Sequence, residues 1–318
     1  MTNKPNYQLP SIPYHKRPKV LLVGNGINLS FSGCKSTDSI ICDQWEKHYD
    51  SKLDCKEKKD DVWKLPFPMQ IVVATKDHVQ ECMMELSAVF KIIDVSAEQK
   101  EFIRKILNVN FDAILTTNYS LEFEKSTLAG YSERRVYSYY KTTQEAITAQ
   151  QKNLGIFQCT ELQDNNHSLL WHIHGTALRK NSMIIGPLYY GKLLSEVTKR
   201  ANEVNSGYRF SMSKENPYTP KSWIDYFLIG DVYILGFELD FSESDIWWLL
   251  NYKKDAFPNT KAYLFQPHIC HEKQLLLDCY HVQTPIVTFD EDEPDKYLKY
   301  YERVCSQIKQ GLTFENSS

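Results

Sequence analysis

At 318 residues, with 42% hydrophobic and 24% charged residues, the chain has the composition of an ordinary globular protein. That length suits one domain with an insertion. The net charge of -3 provides no positive field for a polyanion, which argues against nucleic acid as a direct ligand. Apolar runs are too short to span a bilayer, and the first residues lack the apolar stretch of a secretory signal. We therefore expect a cytoplasmic protein that does not enter a membrane.

The chain is expected to begin with an N-terminal arm, residues 1–18, followed by the main domain, residues 19–318. Val20–Val23 is short, apolar and stopped by a glycine, which predicts a strand buried on both faces of a parallel sheet. A helix is expected from about Leu29. Over residues 35–108 the helical period dominates, which predicts a helical insertion, and Ser96 with Gln99 has the spacing of a capping box.

Further short apolar runs predict the rest of the sheet, and helical segments lie between most of them. These runs are Ala113–Thr116, Leu169–Ile173, Val232–Phe237, Ala262–Phe265 and Ile286–Phe289. Alternating strands and helices predict an α/β fold with a Rossmann-like, doubly wound, mostly parallel sheet of six strands. Residues 125–168 and 190–222 are polar and weakly periodic, and we expect irregular or helical excursions there, with a lid as one use of them.

Two polar segments follow predicted strands. Gly24-Asn25-Gly26-Ile27-Asn28 follows the first strand, where the glycines permit either close approach of a phosphate or a purely structural turn. Thr116-Thr117-Asn118-Tyr119 follows the strand that starts at Ala113. Because ligands bind outside the carboxyl ends of strands in such sheets, Asn118 is placed to hold a ribose hydroxyl or a water. The alternative is that Thr117 and Asn118 cap the next helix.

Two histidines end the strand that begins at Leu169. In an extended strand His172 and His174 would share a face, with His174 nearer the ligand edge, so His174 is the better catalytic candidate and His172 the better core residue. A metal site is disfavoured because the pair lacks a third ligand with suitable local spacing. The eight cysteines contain no Cys-x-x-Cys pair, so we expect neither structural zinc nor a dense disulfide framework.

The last such segment runs from Tyr233 to Trp248 and contains a strand, a glycine turn, several acidic residues and an apolar helix with a tryptophan pair. Gly236 would let a ligand approach the strand end. Ser242 and Asp245 have capping-box spacing, which gives part of the acidic cluster a structural explanation. The tryptophans are more typical of packed core or a subunit interface than of a stacking platform.

Taken in order, these segments resemble the sirtuin-like NAD hydrolases of bacterial anti-phage defence. Gly24–Asn28 is similar to the sirtuin Gly-Ala-Gly-Ile-Ser loop, Thr116–Ser120 to Thr-Gln-Asn-Ile-Asp, and His174-Gly175 to the catalytic His-Gly. The run Leu235–Glu243, with Asp245 and the tryptophan pair, is the most specific resemblance to the bacterial branch. Ser120 departs from the usual aspartate, and the zinc cysteines of deacylating sirtuins and their Asp-Phe-Arg segment are absent.

The resemblance implies that NAD+ is the substrate, that no metal is needed, and that His174 and Asn118 are catalytic. It also implies a set of NAD-binding residues: Gly24, Asn25, Gly26, Asn28, Thr117, Gly236, Phe237 and Asp240. Gated activity is further implied, through a homo-oligomer or a partner protein that acts as phage sensor or activator. Two alternatives stay open: an NAD-dependent protein deacylase or ADP-ribosyltransferase, and a non-catalytic sensor of NAD or ADP-ribose.

Overall fold

A single sheet of eight strands organises the protein, whose structure is a computed structural model describing residues 8–31, 34–54, 61–127, 130–135, 155–163 and 168–311. The spatial order is β3-β4-β5-β2-β1-β6-β7-β8. The strands are β1 Lys19–Val23, β2 Ala113–Thr116, β3 Tyr131–Arg135, β4 Gln158–Leu162, β5 Leu169–His172, β6 Asp231–Leu235, β7 Ala262–Phe265 and β8 Val282–Gln283.

Six of these strands run parallel, from β5 at one side through β2, β1, β6 and β7 to β8. Numbered along the chain, the parallel strands lie in the order 3-2-1-4-5-6, which is compatible with a Rossmann-like doubly wound fold. The chain starts in the middle of the sheet, winds to one side, and returns to wind to the other. The direction of winding therefore reverses between β1 and β6.

The prediction of six strands is corrected to eight. Five predicted strands are confirmed within a residue or two at their ends, whereas Ile286–Phe289 is not a strand and the sixth parallel strand is the shorter β8. The strands β3 and β4 pair antiparallel with each other, and β4 pairs antiparallel with β5 at the edge of the sheet. Their polar sequences lack the apolar runs by which the parallel strands were recognised, so sequence reasoning missed them.

Ten α-helices lie in the described part of the chain. They are α1 Thr37–Tyr49, α2 Phe67–Ala74, α3 Val79–Ile92, α4 Ala97–Leu107, α5 Glu122–Ser126, α6 Pro187–Ser213, α7 Trp223–Ile229, α8 Ser244–Ala256, α9 His271–Cys279 and α10 Lys296–Gln310. The prediction of a helix from Leu29 is wrong. A short 3-10 turn at Asn25–Ile27 follows β1, and the first α-helix begins at Thr37, with Ser36 as its N-cap. The excursion predicted for 190–222 is helical as far as Ser213, within the 27-residue helix α6, and irregular beyond it. Most of the excursion predicted for 125–168 lies outside the described residues.

Both faces of the sheet are buried, as the apolar strands require. In β1, Val20 and Leu22 pack on one side with α6, α7 and α8, while Leu21 and Val23 pack on the other with α4 and α10. The helices α1, α2 and α3 fall in the predicted insertion and surround a separate apolar cluster. Within the described ranges, no helix is both long and apolar enough to cross a membrane.

The described part of the expected N-terminal arm, residues 8–18, lies against the body of the protein. Leu9 and Ile12 are buried in the main core, and Ile12 forms a β-bridge with Tyr218 just beyond α6. The arm is therefore anchored by apolar burial and backbone hydrogen bonds on its own subunit.

Candidate functional site

The segments that follow β1, β2, β5 and β6 meet at the carboxyl edge of the sheet. The Thr117 backbone N–H donates to Val23 (3.1 Å), that of Ile173 to Thr116 (2.9 Å), and that of Gly24 to Leu235 (3.1 Å). These bonds extend the parallel pairing beyond the strand ends and hold the four loops side by side. The four segments that the sequence singled out therefore lie side by side around the point where the winding reverses, which makes this edge the candidate site.

Close backbone packing explains the three glycines of this edge. A Cβ built on Gly24 or on Gly26 would lie 2.7 Å from the carbonyl oxygen of Gly236, and the N–H of Gly26 donates to that same oxygen at 2.7 Å. Gly236 itself has φ +59°, and a Cβ there would lie 2.7 Å from the backbone nitrogen of Ile27. The glycines thus have a packing role in joining the β1 and β6 loops, whatever ligand lies above them.

Asn118 is held by a buried carboxylate. Its Nδ2 donates to Oε1 of Glu122 at 2.6 Å, and the same oxygen accepts from Nδ2 of Asn28 at 3.2 Å. The Ser120 hydroxyl donates to the other oxygen of Glu122 at 2.7 Å, and Gln99 donates to Oδ1 of Asn28 at 2.9 Å. Because this carboxylate is buried, its three donors replace the water that it loses on folding. One N–H of the Asn118 amide is thereby committed to Glu122, and the amide oxygen can serve a ligand.

His172 fixes the backbone beneath Asn118. Its Nδ1 donates to the carbonyl of Asn118 (2.7 Å), and its Nε2 contacts Oε1 of Glu124 (3.0 Å). Burial alone would lower the pKa of His172, but the charge of Glu124 and these hydrogen bonds outweigh it and raise the pKa. The expectation of a satisfied core histidine is confirmed, and its partners give it a role in placing Asn118.

His174 lies in a different environment, against two acidic side chains and a tyrosine ring. Its Nε2 lies 3.1 Å from Oδ2 of Asp245 and 3.8 Å from Oε2 of Glu243. The ring of Tyr190, in the first turn of α6, packs edge-on against the imidazole at 5.5 Å, and its hydroxyl donates to Glu243 at 3.3 Å. The prediction that His172 and His174 share a strand face is wrong, because β5 ends at His172 and a turn follows.

Burial and charge shift the proton affinities in this cluster. Burial would lower the pKa of His174, but the negative charges of Asp245 and Glu243 raise it above its ordinary value. Burial also raises the pKa of Glu243 to about 7, against the opposing effect of His174. Glu243 therefore exchanges a proton near neutral pH, which is a property that general acid–base catalysis uses.

The same cluster also offers a set of ligand atoms for a metal ion. One nitrogen of His174 and one oxygen each of Glu243 and Asp245 lie within 4.8 Å of one another, a set that divalent cations also favour. The direct hydrogen bond between His174 and Asp245, however, already joins two of these atoms. We therefore interpret the three side chains as a proton-sharing network.

The remaining predicted NAD-binding residues are placed as follows. Asn25 donates to the backbone of Lys35, and Thr117 is half-buried between the β1 and β2 ends. Phe237 packs into the main core, and Asp240 is exposed and accepts from the backbone of Ser242 at 2.8 Å. Gly24, Gly26, Gly236 and Asn28 come together with the catalytic candidates, whereas Asp240 caps a surface turn.

Sequence reasoning missed four residues of the site: Glu122, Tyr190, Glu243 and Asp245. The capping box expected from Ser242 and Asp245 is wrong, since α8 begins at Ser244 without a side-chain cap and Asp245 turns to His174 instead. Acidic residues shortly after Asn118 and after Gly236 were the available signal, but the sequence does not show which of them are buried.

No protein family matches the chain, and no curated protein matches it either.

Proposed function

We propose that this protein hydrolyses NAD+ at the nicotinamide–ribose bond and releases nicotinamide and ADP-ribose. The observation that carries the proposal is that Asn118 and His174 follow neighbouring strands at the carboxyl edge of the sheet, beside the switch point, and that each is hydrogen-bonded to a buried carboxylate. Parallel pairing of Thr116 with His172 brings the two segments out of the sheet next to each other. Doubly wound folds bind their nucleotide ligands at this place.

The chemistry needs a held ribose, a departing base and a positioned water. The C–N bond breaks with its electron pair leaving on nicotinamide, and positive charge develops at the ribose carbon. The oxygen of a water molecule then bonds to that carbon, and His174 accepts a proton from the water. The amide of Asn118, fixed through Glu122, holds the ribose or the water in the attacking geometry. NAD+ and water give nicotinamide, ADP-ribose and a proton, without a metal.

Substrate access requires movement, because the candidate residues are covered. His174 is only 2% exposed and Asn118 only 5%. The first turn of α6 covers His174 through Tyr190. A closed site supports the proposal of gated activity, in which assembly of a homo-oligomer or a partner protein opens it. In this proposal the trigger is phage infection and the outcome is depletion of cellular NAD+.

Product analysis tests the proposal. Purified protein is incubated with NAD+, alone and with lysate of infected cells, with and without an acetylated lysine peptide. Equal amounts of nicotinamide and ADP-ribose, independent of the peptide, are expected. Acetyl-ADP-ribose or a labelled protein would instead show transfer to an acceptor. Tight binding of NAD+ without turnover in any condition would contradict hydrolysis and favour a sensor.

A further inference from the structure

Asp245 is a buried carboxylate in the first turn of α8, and its side chain contacts His174. It is 0% exposed and is the second residue of α8, yet the start of that helix shows no side-chain cap. Among the described residues, His174 is the hydrogen-bonding partner of Oδ2, and Oδ1 is buried without one. Burying a carboxylate costs free energy unless a partner compensates it. The hydrogen bond to the imidazole therefore offsets part of the cost of burying Asp245.

We propose that Asp245 is the positioning residue of His174: it accepts a hydrogen bond from Nε2–H and so leaves Nδ1 as the nitrogen that takes the proton. An anionic oxygen at 3.1 Å selects the tautomer with its proton on Nε2. When Nδ1 accepts a proton from water, the imidazolium keeps its Nε2–H bond to Asp245, which stabilises the new charge. The expected effect on kinetics rests on the proposed function, whereas the assignment of the tautomer does not.

The other groups that face His174 do not replace Asp245. Glu243 is 3.8 Å from Nε2, beyond hydrogen-bonding distance, and it accepts from the hydroxyl of Tyr190. Tyr190 contacts the imidazole through its ring. Tyr119 donates its hydroxyl to the backbone of Ile184. Glu243 is therefore the matched comparison: a neighbouring carboxylate that shares the charge but not the hydrogen bond.

Nitrogen NMR of labelled histidine in the full chain tests the tautomer without any turnover. The His174 resonances are assigned by their loss in His174→Gln. The expected result is Nε2–H in the neutral wild-type imidazole, a lower His174 pKa in Asp245→Asn, and a smaller change in Glu243→Gln. An Nδ1–H tautomer, or a pKa unchanged by Asp245→Asn, would overturn the proposal. A shift of the His174 resonances on addition of stoichiometric Zn²⁺ would also overturn it, because it would indicate a metal site.

Kinetics then connect the tautomer to catalysis. In Asp245→Asn, kcat should fall by about 100-fold, the lower end of what a positioned proton acceptor contributes. KM should stay within about threefold, because substrate contacts are unchanged. The acid limb of the pH profile should move to lower pH, since the imidazole loses the anion that raised its pKa. If Asp245→Asn does not fold, the tautomer measured by NMR in the wild-type protein still tests the proposal. If NMR agrees but no protein turns over, the proposed function fails and the tautomer assignment stands.

Discussion

At the scale of single residues, two buried carboxylates hold the two candidate catalytic groups. Glu122 fixes the amide of Asn118, and Asp245 contacts the imidazole of His174. Neither carboxylate is paired with a lysine or arginine in the hydrogen bonds and ion pairs of the described chain; each depends on neutral donors or a histidine. Such arrangements orient a side chain at a cost in stability, as is typical of functional sites.

Replacing Asn118 by alanine separates its catalytic role from its structural one. The change removes a 2.6 Å hydrogen bond to Glu122 and should lower the free energy of unfolding by about 1–3 kcal/mol. Ser120→Ala removes another donor to the same carboxylate and should cost a similar amount. Denaturant unfolding and NAD+ cleavage are measured for both variants. Only Asn118→Ala should abolish cleavage, and equal activity in the two variants would contradict the assigned role.

The buried histidines make stability depend on pH. The pKa of His172 is raised in the folded protein above the unfolded value of about 6.5. Its contribution is therefore fully present below pH 6.5 and is lost as pH rises through the raised folded pKa. Unfolding free energy measured against pH should fall over this window in the wild type. The fall should be smaller in His172→Gln, and identical profiles would show that His172 does not titrate in the folded state as assigned.

At the scale of elements, the β1 and β6 loops are joined by glycine contacts, and Gly236→Ala tests that joint. The added Cβ would lie 2.7 Å from the backbone of Ile27 at a positive φ, so stability should fall by about 1–3 kcal/mol or more. Gly191→Ala is the control, because a Cβ there meets nothing within 4 Å and helix propensity favours alanine. Melting temperatures of both variants provide the test; an unchanged value for Gly236→Ala would contradict the packing role.

Elements fixed by local sequence could be predicted, whereas those fixed by tertiary contacts could not. Runs such as Val20–Val23 were correctly predicted to be strands, because burial on both faces requires apolar residues at every position. Tyr131–Arg135 is an edge strand whose pairing is antiparallel and whose sequence is polar, so no pattern marked it. The Ser96 cap was predictable from local spacing. Asp245 was not, because its partner lies 71 positions away and only tertiary packing brings the two together.

At the scale of the whole molecule, the doubly wound order brings the candidate residues to one edge of the sheet, and Tyr190 at the start of α6 covers His174. Tyr190→Ala removes the ring that packs on His174 and should raise cleavage of NAD+ in the absence of any trigger. Leu188→Ala changes an exposed residue of the same helical turn and should leave the basal rate as it is. Steady-state rates of the two purified variants are compared with wild type. A basal rate that does not rise in Tyr190→Ala would contradict the role of this turn as a cover.

Nicotinamide release by wild type, His174→Ala and His268→Ala tests the proposal that His174 takes part in the cleavage of NAD+. His268 is an exposed histidine that hydrogen-bonds to Glu291 and serves as the matched control. Each protein is first shown to be folded, then assayed alone and with lysate of infected cells. We expect wild type and His268→Ala to release nicotinamide and His174→Ala to be slower by at least about 100-fold. Undiminished release by folded His174→Ala would show that His174 is not catalytic.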